Sequence, residues 1–330
     1  MRLRAVGGVV LALVFMPVGM AAGSVPHAAV ADFDGDGVSD LSVLRPDGRW
    51  FIRPSGLGCC WSFSWGYTIR PDARAVPGDY DGNRSTDPAM FSPTEGTWQI
   101  MPSNGTGAYI VPFGQSGDVP VPADYDGNGS TDPAVYRPAN GHWYILHQPD
   151  VTEVAFGQSG DVPVPGDYDG DGRADVAVFR ASIGSWIVLR STDGGETSDS
   201  FGLATDTLVP ADYDGDGRTD LAVYRDAESA WWIRRSGDGA VEVQTWGKPG
   251  DLVAPGDYDG DGRTDIAVYE PSTGRWLIMG RVAEAELGTA EDVPVAGAYL
   301  PGATPSRARA ASAVSAGWHS AFRKFGHQVG

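Results

Sequence analysis

Cysteine is all but missing: two among 330 residues, adjacent at Cys59 and Cys60. No disulfide framework and no cysteine-based zinc cluster can be built from them. Neighbouring Cα atoms lie about 3.8 Å apart, below the span of about 4.4–6.8 Å that a relaxed disulfide favours. A strained ring, an intermolecular bridge or two buried thiols are the states open to the pair. Histidine is nearly as scarce, with five scattered copies and no H-E-x-x-H pair. Positive charge is short as well: 24 Lys and Arg against 43 Asp and Glu, a formal net charge of −19. A surface of that sign repels phosphate backbones, which excludes nucleic acid as an expected partner. Long apolar runs are absent but for one. Arg2 and Arg4 precede an apolar stretch from Ala5 to Met20, interrupted by Pro17 and followed by Ala21, Ala22 and Gly23. A basic start, a short apolar stretch and a small-residue exit predict a secretory signal peptide over 1–23, cut after Gly23, with Ala31 a later option. The stretch is short for a membrane span of about 20 residues. The mature chain, 24–330, is therefore expected to be exported, extracellular, without a membrane span, and monomeric.

What is abundant is glycine and proline, 46 and 24 residues, too many for a mostly helical fold. They punctuate a repeat. ADFDGDGVSD (31–40) returns as GDYDGNRSTD (78–87), ADYDGNGSTD (123–132), GDYDGDGRAD (166–175), ADYDGDGRTD (211–220) and GDYDGDGRTD (256–265). The first aspartates are spaced by 47, 45, 43, 45 and 45 residues. A tryptophan follows each loop: Trp50, Trp98, Trp143, Trp186, Trp231 or Trp232, and Trp276. A third marker is an aromatic-Gly pair at Trp65-Gly66, Phe113-Gly114, Phe156-Gly157, Phe201-Gly202 and Trp246-Gly247, weakened to Leu287-Gly288. Between loop and tryptophan lie runs such as Leu41-Ser42-Val43-Leu44, Val176-Ala177-Val178-Phe179, Leu221-Ala222-Val223-Tyr224 and Ile266-Ala267-Val268-Tyr269. Four residues without polar alternation predict a strand buried on both faces, with the small second residue on the tighter face. A turn such as Arg137-Pro138 to Gly141 then leads into the tryptophan strand as a hairpin. A period of about 45 residues carrying several strands is that of a β-propeller blade, so an all-β single domain is expected.

After residue 292 the pattern decays. Val293-Pro294-Val295-Ala296-Gly297 repeats the lead-in at 162–166, but Ala298 and Leu300 stand where the first two loop aspartates should be. Gly317-Trp318 and Phe325-Gly326 echo the other markers. A seventh, degenerate, metal-free blade over 293–330 is expected, the alternative being six blades and a basic tail (Arg307, Arg309, Arg323, Lys324).

The loops carry the chemistry. Asp257, Asp259, Asp261 and Asp265 occupy loop positions one, three, five and nine, as do Asp32, Asp34, Asp36 and Asp40; Asp167, Asp169, Asp171 and Asp175; and Asp212, Asp214, Asp216 and Asp220. Two loops substitute asparagine at position five: Asp79, Asp81, Asn83 and Asp87, and Asp124, Asp126, Asn128 and Asp132. A hard cation such as Ca²⁺ takes six to eight oxygens, and the first, third and fifth residues of a tight loop project to one centre. Position seven adds a backbone carbonyl, from Val38, Ser85, Ser130, Arg173, Arg218 or Arg263, and the aspartate at nine closes the site. Position twelve is never the Glu of an EF-hand, and the flanks read as strands. Arg84, where the other loops have glycine, marks the 79–87 loop as the weakest. Imidazole and thiolate ligands are absent, so no redox metal is expected. The six loops hold 22 of the 43 acidic residues. Without a cation such clusters repel strongly. Loss of Arg2 and Arg4 takes the net charge from −19 to −21, and six divalent ions would bring it to −9. Up to six structural Ca²⁺ ions are therefore expected.

These residues resemble the FG-GAP/VCBS repeat family, which includes the N-terminal propeller of integrin α chains. The resemblance rests on the D-x-D-x-D-G-x-x-D loops, the Asp-[Leu/Ile/Val]-Ala-Val-[Tyr/Phe] strand and the aromatic-Gly element, over about 28–292 and weakly to 330. It implies a seven-bladed propeller with structural calcium, and roles in adhesion, carbohydrate binding or as modules attached to enzymes. The expected function is a non-catalytic binding module for extracellular glycan or protein. The recurring tryptophans are expected in the blade core, and the irregular aromatics Trp61, Tyr67, Tyr109 and Trp231 are the candidates for a ligand site. The alternative is a glycan lyase or hydrolase. Against it, Glu95, Glu153, Glu196 and Glu228 show no pairing, no G-x-S-x-G elbow occurs, and His142 and His147 are expected on one side of a strand turn without a third partner. The aspartates at 118, 161, 206, 251 and 292 recur once per unit and are read as structural.

Overall fold

Strands that bury both faces must find a sheet on either side, and a ring of blades supplies one to each. The computed structural model describes residues 31–56, 60–64, 72–281 and 285–296. Among these it forms six four-stranded antiparallel sheets. Blade two contains Arg74–Ala75, Ala89–Ser92, Thr97–Ile100 and Tyr109–Pro112. Blade three contains Val119–Pro120, Ala134–Arg137, His142–His147 and Asp150–Ala155. Blade four contains Val162–Pro163, Val176–Arg180, Ser185–Leu189 and Glu196–Ser200. Blade five contains Thr207–Leu208, Leu221–Arg225, Ala230–Arg234 and Val241–Thr245. Blade six contains Leu252–Val253, Ala267–Glu270, Arg275–Ile278 and Ala285–Glu286. Blade one has only three strands of its own, Leu41–Leu44, Arg49–Arg53 and Trp61–Ser64. Its first strand is Val293–Pro294, from the other end of the described chain.

That pairing corrects the expectation of seven blades. The lead-in at 293–296 does not open a new sheet. Val43 pairs with Pro294 and Leu44 with Val293. The Val295 N–H donates to the Ser42 carbonyl at 2.8 Å, and the Ser42 hydroxyl donates back to the Val295 carbonyl at 2.6 Å. Blade six then packs directly on blade one, with Leu41 and Val43 against Tyr269 and Trp276 in one buried cluster. The ring is closed by six blades. Residues 297–330, with the echoes at Trp318 and Phe325, lie outside the described residues, as do residues 1–30, Cys59 and Tyr67.

The core consists of six such clusters, one between each blade and the next. The two faces of the second strand divide as the sequence implies. Val176 and Val178 pack back onto Tyr136 and Trp143 of blade three, whereas Ala177 and Phe179 pack forward with Trp186 and Val223. Each recurring tryptophan is fully buried. In five blades it lies against the aromatic ring at the end of the second strand, with centroids 5.0–5.6 Å apart. The third marker is tied to the second: the Trp143 indole N–H donates to the Phe156 carbonyl at 2.9 Å, and Trp98 and Trp186 do the same with Phe113 and Phe201.

Glycine is required where these markers meet. A Cβ on Gly141 (φ +74°) would lie 2.5 Å from the Gly157 carbonyl oxygen, while Gly160 (φ +90°) has open space around it. The left-handed conformation alone costs about 1–2 kcal/mol for alanine. Gly160→Ala is expected to cost that much, and Gly141→Ala clearly more, in urea unfolding. Equal losses would show that the hairpin yields to the added methyl.

A charge clamp fixes the first strand of each of several blades. Asp118 precedes Val119–Pro120 and accepts both N–H groups of one guanidinium edge of Arg137, from Nε and Nη2, at 2.9 Å. Asp161 with Arg180 and Asp206 with Arg225 repeat it. Asp292 with Arg45 stands in the same place across the ring closure, through a single Nε–Oδ2 contact at 3.4 Å. The recurring aspartates are structural in these four blades. In blade six the arginine is replaced by Glu270, which takes Lys248 instead. No helix among the described residues is long and apolar enough to cross a membrane.

Candidate metal centres

The loop between the first and second strands of each blade is wound by its own aspartates. In the 167–175 loop, Asp167 accepts the Gly170, Asp171 and Gly172 N–H groups at 2.6, 3.2 and 2.8 Å. Asp175 accepts Tyr168 N–H with one oxygen and Ser191 N–H, from the next hairpin, with the other. Position five caps position seven: Asp171 Oδ1 accepts Arg173 N–H at 2.9 Å. Asn83 and Asn128 make the same bond through their amide oxygens to Ser85 and Ser130. That bond explains why asparagine is accepted there, since a carbonyl oxygen serves it as well as a carboxylate.

Carboxylates converge as a result. Asp79, Asp81 and Asp87 bring ligand atoms within 4.8 Å of one another, as do Asp167, Asp169 and Asp175, and Asp212, Asp214 and Asp220. In the first loop the gathered set is Asp32, Asp34 and Asp36. Positions one, three and nine therefore meet in at least three loops. Position five is drawn toward the following hairpin in two of these same loops: Asp216 accepts the Ser236 hydroxyl, and Asn83 donates to the Ser103 hydroxyl. The closing aspartates Asp40, Asp87, Asp175 and Asp220 are buried. Burial, opposed by backbone N–H donors and reinforced by neighbouring aspartates, pushes the Asp40 carboxyl up to about 7, and burial foremost takes Asp87 and Asp265 to about 6. In the first loop Asp34 Oδ1 is buried without a hydrogen-bond partner. Converging, desolvated, all-oxygen donors with an orphaned lone pair fit a hard divalent cation.

The raised values have a consequence for the chelated protein. Its folded state holds protons on Asp40, Asp87 and Asp265 that the unfolded chain releases near the ordinary aspartate value of 3.8. Stability must fall as pH rises from about 4 to about 7, because the native state binds more protons across that window. Melting temperatures in chelator should decline over this range, and calcium should remove the decline. A profile that rises with pH would contradict the assignment.

The loops also form a ring. Position eight of each loop donates its N–H to the carbonyl of position one in the loop before: Thr86 to Asp32, Thr131 to Asp79, Ala174 to Asp124, Thr219 to Asp167, Thr264 to Asp212 and Ser39 to Asp257, all at 2.6–2.7 Å. Position seven lies over the fourth-residue glycine of the preceding loop, Arg218 over Gly170 and Arg263 over Gly215 among them. The last loop bonds to the first, which again leaves no place for a seventh blade.

Three expectations are corrected at the surface. Trp231 is fully buried, and it is Trp232 that is partly exposed. Trp61 and Tyr109 are exposed as expected. Glu153 is not isolated: opposite Tyr144 in the hairpin, it accepts the Tyr144 hydroxyl at 3.0 Å and lies 2.7 Å from His142 Nδ1. His142 and His147 are five residues apart on one strand, hence on opposite faces. His147 reaches the loop of its own blade, 3.2 Å from Asp132 Oδ2. An imidazole does face an acidic loop after all.

A six-bladed antiparallel propeller with one acidic loop per blade defines the class. The profile of the FG-GAP-like repeat family matches residues 212–268, two consecutive loops with blade five between them. Residues 212–268 thus carry FG-GAP-like repeats within a six-bladed β-propeller. No curated protein sequence matches the chain. Among solved structures, a streptogramin B lyase is 13% identical, with 81% of this chain and 85% of that one covered and a TM-score of 0.46. An Agrocybe aegerita lectin that recognises non-reducing terminal N-acetylglucosamine is 15% identical, with coverages of 79% and 90% and a TM-score of 0.49. Virginiamycin B lyase from Staphylococcus aureus is 10% identical, with coverages of 78% and 87% and a TM-score of 0.46.

Proposed function

We propose that the protein is an exported, calcium-dependent, non-catalytic binding module for extracellular glycan or protein. The observation that carries this reading is the division of labour in the blades. The acidic groups are consumed in a ring of loops that holds neighbouring blades together, while side chains on the outer strands are left open. Calcium would be held by the aspartates at positions one, three and nine, with position five and the carbonyls of Val38, Ser85, Ser130, Arg173, Arg218 and Arg263 completing each set. The ion would supply charge balance and rigidity, not reactivity.

Two clefts at blade boundaries are the candidate ligand sites. One, of 340 Å³, is lined by Ile183, Phe201, Leu203, Arg225 and Trp232. The other, of 620 Å³, is lined by Tyr109, Ile110, Pro112, Leu146 and Pro149. Half-exposed rings beside polar edges are the surfaces on which sugar rings or apolar side chains stack. Export rests on residues 1–23. A cut after Gly23 preserves Ala31, which is buried and accepts the Asp40 N–H at 2.9 Å; a cut after Ala31 would remove both contacts. The enzymatic reading draws on one observation, the His142–Glu153–Tyr144 group, in which a carboxylate orients an imidazole beside a phenol.

A glycan and polysaccharide array, probed with the mature protein in calcium and in chelator, tests the proposal. Binding in calcium, lost in chelator and weakened about tenfold or more by Trp232→Ala or Tyr109→Ala, is the expected result. No binding by folded protein would refute the glycan form and direct the search to cell-surface proteins. Cleavage of an arrayed polysaccharide, abolished by His142→Gln, would establish the enzyme instead.

A further inference from the structure

The third loop is chemically unlike the other five. Its position five is Asn128, so it carries three carboxylates, and its blade brings an imidazole to it. In blades one, two, four and five the chain leaving the third strand presents a serine, whose N–H donates to the closing aspartate: Ser55, Ser103, Ser191 and Ser236. In blade three the third strand is six residues long and ends on His147, whose ring lies at the mouth of the loop.

His147 Nδ1 is 3.2 Å from Asp132 Oδ2 and 3.6 Å from Asp126 Oδ2, and the ligand atoms of all three residues lie within 4.8 Å of one another. The nitrogen is buried beside both carboxylates and makes no well-directed hydrogen bond to either. The three ligand atoms are therefore close enough to share one ion. Two donors each about 2.1 Å from one tetrahedral ion are about 3.4 Å apart, which matches the two separations. Calcium takes oxygen ligands, whereas imidazole with carboxylates suits zinc and its first-row neighbours.

We propose that Asp126, Asp132 and His147 form a site for a first-row divalent transition ion, selective over calcium, within a ring whose other loops present oxygen only. The competing arrangement is a protonated His147 acting as an internal cation between the two carboxylates.

The test uses the full chain in excess calcium, titrated with zinc alone by calorimetry and followed by nitrogen NMR of the imidazole rings. One zinc equivalent is expected to bind, shifting the His147 ring nitrogens and leaving His142, beside Glu153 and Tyr144 on the opposite face of the strand, unmoved. His147→Gln should weaken zinc binding about tenfold or more while calcium stoichiometry and the calcium-bound melting temperature hold. Failure of zinc to bind, zinc binding that leaves His147 unshifted, or equal zinc affinity in His147→Gln would overturn the proposal. The NMR readout on the parent protein stands even if the variant does not fold. Failure of the calcium reading would show separately, as a missing calcium stoichiometry with the zinc equivalent intact.

Discussion

Truncation after Gly297 is expected to leave the propeller folded, with its melting temperature within a few degrees of the full chain, whereas truncation after Asp292 should abolish cooperative folding. The short segment between the two cuts is the first strand of blade one. Removing it strips the pairing of Val293 and Pro294 with Leu44 and Val43 and leaves the buried Ser42 hydroxyl without its acceptor, the Val295 carbonyl. It also uncovers the side of the core that Val295 and Ala296 bury. Apolar burial, two backbone hydrogen bonds and an orphaned hydroxyl together amount to roughly 6–10 kcal/mol. A domain has about 5–15 kcal/mol in all, so the loss is comparable with the whole stability. Far-ultraviolet circular dichroism with calorimetry of both truncations decides the matter. Unfolding of the longer product would mean that residues beyond 297 are needed to complete the ring, as a seventh blade would be.

The number of blades is where sequence and structure part company, and the reason is physical. Counting acidic loops returns six, and the six loops do bond in a circle. But each unit in the sequence begins with its lead-in strand, so Val293-Pro294 reads as the opening of a further unit. In space it completes the first one, through contacts about 250 residues apart in the chain that no local spacing records. Asp292 could have signalled this, since it sits before Val293 as Asp118 sits before Val119, and its arginine is Arg45. The doubly buried strands, the core tryptophans and the glycine pairs were legible because they repeat. The features that occur once were not. Trp231 and Trp232 are told apart only by register, which sets Trp231 opposite Tyr224 as Trp143 is set opposite Tyr136. Glu153 meets His142 across a hairpin, and His147 meets a loop that ends fifteen residues earlier. The aspartates at positions one, three and nine were legible as a group, while the pull of the following hairpin on position five was not.

Chelation is expected to lower the melting temperature by about 20 °C or more, with much of the loss recovered on adding calcium back. The estimate follows from mass action. Calcium loops in extracellular modules bind at about 10⁻⁴–10⁻³ M; with that affinity, at about 10 mM each occupied site would add roughly 1.4–2.7 kcal/mol to the folded state. Six sites sum to about 8–16 kcal/mol, and each kcal/mol moves the transition of a domain this size by about 2–4 °C. The physical basis is the loop ring. Each loop is pinned to the next through the carbonyl of its first aspartate, and that same aspartate must crowd two further carboxylates, as in Asp212, Asp214 and Asp220. Without a cation the repulsion works against every loop-to-loop bond at once, so the loss should be shared around the ring. Asp220→Ala removes one closing carboxylate that is buried and accepts the N–H groups of Tyr213 and Ser236. It should lower calcium stoichiometry by one and leave two partly buried donors unsatisfied, a cost of about 1–3 kcal/mol that calcium cannot restore. Calorimetry of parent and variant, each with calcium and with chelator, separates the two contributions. Identical melting curves for the parent protein in the two conditions would remove calcium from the account of this fold.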